Sequence, residues 1–128
     1  HVKENYPNAK KLIIWGSSYS SALVLKIAGD RNDVDAVLSF APGEYFQDEG
    51  KPSNYIGQSA ANILVPAFIT SAKNEKENWW KIYESIPGIG KDYFLPKTKG
   101  QHGSRALWEK FPEHKLYWEA VERFLNSL

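Results

Sequence analysis

Short apolar runs that alternate with helix-like stretches constrain this chain more than any other feature. Residues 12–15 (LIIW) are a continuous apolar run, and 34–40 (VDAVLSF), 65–71 (VPAFITS) and 92–95 (DYFL) read as three further strands, each closed by glycine, proline or polar residues. Continuous apolar runs of this length suit strands inside a parallel sheet, because helices cover both faces of such a strand. Between the first two runs, Ala22, Leu23, Val24, Leu25, Ile27 and Ala28 predict an apolar helix ending near Gly29. Trp79, Ile82, Tyr83 and Ile86 recur at helical spacing and make one stripe of a second helix. Asn74-Glu75-Lys76-Glu77 has the form of a capping box at its start, and Pro87-Gly88-Ile89-Gly90 ends it. Tyr117, Val121, Phe124, Leu125 and Leu128 line a terminal helix beginning near Pro112. Residues 44–62 read as loop plus a short helix, residues 1–5 as the tail of a helix, and Tyr6-Pro7-Asn8 as a turn. The alternation predicts an α/β fold, a parallel sheet of about four strands with flanking helices. One domain over residues 1–128 is expected, since no repeat or low-complexity tract divides the chain. Trp79, Trp80, Tyr83 and Trp118 fall on helical stripes and are expected in the core, and Trp15 is expected to be buried in the sheet.

The remaining bulk properties narrow the partners. Sixteen basic residues against fifteen acidic ones leave a net charge of +1, so no general electrostatic attraction to nucleic acid or an anionic membrane is expected. The apolar runs are far too short to span a bilayer, and no signal-peptide pattern is present. There is no cysteine, hence no disulfide or thiolate metal site, and the compartment stays open. The chain also holds no methionine, even at position 1, which predicts a processed or cut N-terminus.

In open parallel sheets, sites form at the carboxyl ends of the strands. Gly16 to Ser18, Pro42 to Glu44, Lys73 to Glu75, and His102 all follow a predicted strand, so the topology would bring them to one edge. Ser18 sits at a sharp strand-to-helix turn. A serine there has its hydroxyl at a helix N-terminus, with the next backbone N–H aimed where an oxyanion would form. A capping serine would look the same in the sequence, and Ser17 is one position early. Glu75 follows the third strand, where the helix dipole favours a glutamate regardless of chemistry. Glu44 and Asp48, after the second strand, could supply a carboxylate instead. His102 alone of the three histidines follows a strand beside a glycine. Tyr45 and Phe46 stand where they would either wall a substrate pocket or cover the core.

The stretch Gly16-Ser17-Ser18-Tyr19-Ser20 resembles the Gly-x-Ser-x-Gly elbow of the α/β-hydrolase family, and more narrowly its small dienelactone-hydrolase-like esterases, with Ser20 in place of the second glycine. Val65-Pro66-Ala67-Phe68-Ile69 looks like that family's strand before the acid, and Gln101-His102-Gly103 like its terminal His-Gly loop. The order nucleophile, acid, histidine is the family's own. The resemblance covers nearly the whole chain as the C-terminal half of the fold. It implies a serine hydrolase of small carboxylic esters, lactones or thioesters, with Ser18 as nucleophile, Glu75 as acid and His102 as general base. It implies the Tyr19 N–H as one oxyanion donor, Glu44 and Tyr45 as neighbours of the substrate, and no cofactor or metal. The family's second oxyanion donor follows an earlier strand, which residues 1–9 cannot supply. The first strand is therefore expected at an open edge that invites a homodimer or a missing N-terminal segment. A non-catalytic fragment or binding module on the same scaffold is the alternative.

Overall fold

The computed structural model describes residues 11–128, so the helix tail and turn expected over residues 1–8 lie outside the described residues. Four strands alternate with helices: β1 (Ile13–Ser17), α1 (Tyr19–Asp30), β2 (Ala36–Phe40), α2 (Tyr55–Ala60), β3 (Ala67–Thr70), α3 (Lys76–Ser85), β4 (Lys91–Phe94) and α4 (His114–Asn126). The strands pair in parallel in the order β1-β2-β3-β4. Ile13 lies opposite Ala36 and Ser17 opposite Phe40, while Thr70 links Phe40 to Phe94 across the next two pairs. The carboxyl ends of all four strands therefore share one edge, as the alternation predicted.

Side chains of successive strand residues point to opposite faces, and the two faces hold separate cores. Val37, Ala67 and Ile69 meet Leu25 of α1, Ile56 of α2, and Trp79 and Ile82 of α3. Ala36, Leu38, Phe40 and Phe68 meet Ala120, Val121 and Phe124 of α4. The two inner strands are buried at every position, which explains their continuous apolar spelling.

The outer strands depart from expectation. Ile13 and Trp15 are each 39% exposed, because β1 has a strand beside it on one side only among the described residues. Trp15 is thus not buried in the sheet; one ring face stacks on Phe40 at 5.1 Å and the rest is open. Trp118 is also exposed, its indole N–H donating to the Leu107 carbonyl (3.2 Å) at the outer side of α4. Trp80 is half-buried, with the Lys76 ammonium 4.2 Å above its ring. The capping arrangement before α3 sits two residues earlier than its spelling suggested. Glu75 Oε1 accepts the Ala72 N–H (3.0 Å) across a 3₁₀ turn, Lys73–Glu75, that leads into α3.

The loop between β4 and α4 is fixed from below. Glu113 Oε2 accepts the Thr98 hydroxyl (2.6 Å) and the Gly100 N–H (3.0 Å), and these donors hold its carboxyl below the usual carboxylate range. The Tyr117 hydroxyl donates to the Ser71 carbonyl (2.8 Å), and burial pushes its phenol up to about 12. Gly100 has φ 68, and a Cβ there would come 2.2 Å from the Tyr117 hydroxyl oxygen, so both conformation and space require glycine.

Candidate active site

The turn from β1 into α1 is built by close approach. A Cβ on Gly16 would stand 2.3 Å from the Ser20 carbonyl oxygen, which excludes any side chain at position 16. Ser20, which takes the place of a second glycine, closes the turn instead. Its hydroxyl accepts the Ser17 N–H and donates to the Ser17 carbonyl, both at 2.9 Å. Ser18 between them has φ 58 and ψ −120, a conformation that costs a non-glycine residue about 1–3 kcal/mol. Its N–H is held by the Phe40 carbonyl at the end of β2 (2.8 Å), and its carbonyl accepts from both the backbone and the hydroxyl of Ser21. The Ser18 hydroxyl makes no capping bond to the helix.

That hydroxyl faces His102. Ser18 Oγ lies 2.8 Å from His102 Nε2, and His102 Nδ1 lies 2.5 Å from Glu75 Oε2. A carboxylate can only accept, so the contact to Glu75 places the ring proton on Nδ1 and leaves Nε2 free to accept from Ser18. The structure therefore brings together Ser18, Glu75 and His102, from the ends of β1, β3 and β4, in one hydrogen-bonded chain. Glu75 divides its carboxylate, one oxygen on the Ala72 N–H and the other on the histidine.

The other candidates surround this chain. Tyr19 is the first residue of α1, so its N–H has no carbonyl of the same helix to bond. Its ring lies 4.9 Å from Phe46 and 6.5 Å from Tyr45. The Tyr45 hydroxyl donates to the Ala41 carbonyl (2.5 Å); Ala41, directly after β2, also has a positive φ, 63. Burial pushes the Tyr45 phenol up, the charge of Glu75 acts in the same direction, and Ser18 offsets part of the effect. Glu44 turns away from the histidine, both oxygens accepting N–H groups at the start of α2, from Ile56 (2.8 Å) and Gly57 (3.0 Å). Asp48 is exposed on a 3₁₀ turn, Gln47–Glu49. A cleft of about 840 Å³ runs between α2 and α3, lined by Glu44, Tyr45, Gln58, Asn78 and Lys81 among others. Neither Ser18 nor His102 lines it.

Ser17 is the part of the site that the sequence did not reveal. Its hydroxyl accepts the Ser104 N–H (2.8 Å), a contact spanning 87 residues that no local pattern announces.

A parallel four-stranded sheet with helices on both faces, and polar residues gathered at its carboxyl edge, defines an α/β fold. Solved structures share it. The esterase Pf2001 of Pyrococcus furiosus superimposes with a TM-score of 0.76 at 16% identity, covering 98% of this chain and 57% of its own. A second and a third crystal form of the same esterase give TM-scores of 0.76 and 0.75, at 16% and 15% identity. The chain thus spans little more than half the length of these esterases. No protein-family model matches it, and no curated protein does.

Proposed function

We propose that this chain is a serine hydrolase of small carboxylic esters, lactones or thioesters, of the dienelactone-hydrolase-like kind that its elbow resembles. The observation that carries the reading is the chain Ser18–His102–Glu75, with contacts of 2.8 and 2.5 Å, on a serine whose strained backbone points its hydroxyl at the histidine. A serine hydroxyl is a poor nucleophile at neutral pH and needs a base within hydrogen-bond reach. His102 Nε2 takes the Ser18 proton as Oγ attacks the acyl carbon, then gives it to the departing alkoxide or thiolate, leaving an acyl-serine. Water attacks that acyl group in turn, with His102 again taking the proton, and the acid is released with Ser18 restored. Glu75 keeps the ring proton on Nδ1 and stabilises the imidazolium. The Tyr19 N–H is one donor to the oxyanion. A second is expected from chain that docks along the open side of β1, and a missing donor of this kind costs about 100- to 1000-fold in rate.

A fluorophosphonate probe with intact-mass detection tests the reading. A single adduct is expected on Ser18, and Ser18→Ala should abolish both the adduct and p-nitrophenyl acetate turnover while circular dichroism is unchanged. Equal labelling of the alanine variant would refute Ser18 as nucleophile. A folded chain without any adduct would favour the alternative, a non-catalytic binding module.

A further inference from the structure

The two adjacent serines of the turn have different partners, and the partner of Ser17 is the loop that carries the base. Ser17 Oγ accepts the N–H of Ser104, two residues beyond His102. Gly103, between them, has φ 69, and a Cβ at that position would come 2.5 Å from Ser17 Oγ. The Gly103–Leu107 turn is thus seated directly on the Ser17 hydroxyl. Ser17 is itself fixed on two sides, by the ladder to β2, where it lies opposite Phe40, and by the paired bonds from Ser20. Glu75 holds the far nitrogen of His102, yet the imidazole is 42% exposed, so the backbone that carries the ring must help to keep Nε2 at Ser18.

We propose that Ser17 is a positioning residue for His102, its hydroxyl anchoring the Gly103-Ser104 backbone so that Nε2 stays within hydrogen-bond reach of the neighbouring Ser18. The inference rests on the proposed hydrolase reading. Because Ser17 and Ser18 are consecutive, the anchor ties the base to the nucleophile's own backbone, and the two move together if the turn shifts. Ser17 need not touch the substrate for this role.

Ser17→Ala removes the acceptor and keeps the strand. The expected result is a kcat lower by about 10- to 100-fold with KM nearly unchanged, since displacement of a catalytic group by about 1 Å costs up to that much. The rate of fluorophosphonate labelling at Ser18 should fall in the same ratio. In a His102→Ala background, Ser17→Ala should leave the residual rate unchanged, because no base remains to be positioned. Equal losses in both backgrounds would show a general structural role and overturn the proposal, as would an unchanged kcat. Should Ser17→Ala fail to fold, Ser17→Cys keeps the shape of the side chain with a weaker acceptor and should give the same split between kcat and KM at a smaller loss, and an unchanged kcat there would overturn the proposal. Position is read without activity from the NMR contact between His102 Hε1 and the Ser18 β-protons, expected in the unaltered chain and lost in Ser17→Ala. Loss of that contact in a chain that never labels refutes the hydrolase reading alone. Normal labelling with the contact and kcat both kept in Ser17→Ala refutes the role of Ser17 alone.

Discussion

Replacing Glu75 by glutamine keeps the shape of the side chain and removes its charge, and the hydrogen bonds around it determine the outcome. The two carboxylate oxygens have separate duties: Oε1 accepts the Ala72 N–H (3.0 Å) and Oε2 faces His102 Nδ1 (2.5 Å). A glutamine has one acceptor and one donor to divide between them. If its oxygen stays on Ala72, its NH₂ meets Nδ1, which must then accept. The ring proton moves to Nε2 and points at Ser18, so the base cannot take the serine proton. A wrong tautomer of this kind costs about 10⁴-fold in kcat, as known from the equivalent change in a serine protease. If the amide turns over, its oxygen serves the histidine, but the NH₂ opposes the Ala72 N–H. A part-buried donor left without an acceptor costs about 1–3 kcal/mol, roughly 5- to 150-fold if the cost falls on the competent form. The expected loss in kcat for Glu75→Gln therefore lies between these bounds, with KM little changed because Glu75 touches the base and not the substrate. Steady-state p-nitrophenyl acetate hydrolysis measures the loss, and ¹⁵N shifts of the imidazole identify the tautomer. A kcat within about threefold of the unaltered chain would refute the assignment of Glu75 and the reasoning from its divided carboxylate.

Two further outcomes are expected. Glu113 has a depressed carboxyl in the folded state, so its contribution to stability is present above the ordinary carboxylate range and is lost as pH falls through the folded value. Urea midpoints measured from neutral to acid pH should therefore fall more steeply for the unaltered chain than for Glu113→Gln, and parallel curves would refute the linkage. The isolated chain of 128 residues should self-associate along β1, where Ile13 and Trp15 are open, and Trp15→Lys should shift its light-scattering mass to that of a monomer. An unaltered chain that is monomeric at every concentration would refute the edge reading.

β1, β2 and β3 were legible as short, largely apolar runs between breakers, β4 (KDYF) by its place just after the helix-ending Pro-Gly stretch, and the periodic stripes marked α1, α3 and α4. Element ends were less legible. β1 runs on to Ser17 because its backbone pairs with Phe40, which a serine does not announce. Whether a run lies inside a sheet or at its edge is also absent from its spelling, and so Trp15 was expected to be buried when it is half-open. The neighbours Ser18, Glu75 and His102 were legible because strand ends in a parallel sheet converge, so order along the chain sufficed. Ser17 was not, since its partner lies 87 residues away and the choice between two adjacent serines depends on which hydroxyl a strained turn directs toward the histidine. Glu44 was equally ambiguous in the sequence; only the folded chain shows its carboxylate occupied by the first turn of α2.

The strand order β1-β2-β3-β4 also has a consequence in time. Neighbouring strands lie about 4.8 Å apart, so β1 and β4 stand roughly 14 Å from each other. The segment after β4 crosses that distance to bring His102 to Ser18 and Ser104 to Ser17. These bonds act as a clasp from the last strand back to the first. As the chain leaves a ribosome, the serine turn can form early, yet Ser18 has no histidine beside it until nearly the whole described chain has emerged and β4 has docked. In refolding, the return of serine reactivity should therefore lag the return of helical signal, and would time the closing of the sheet.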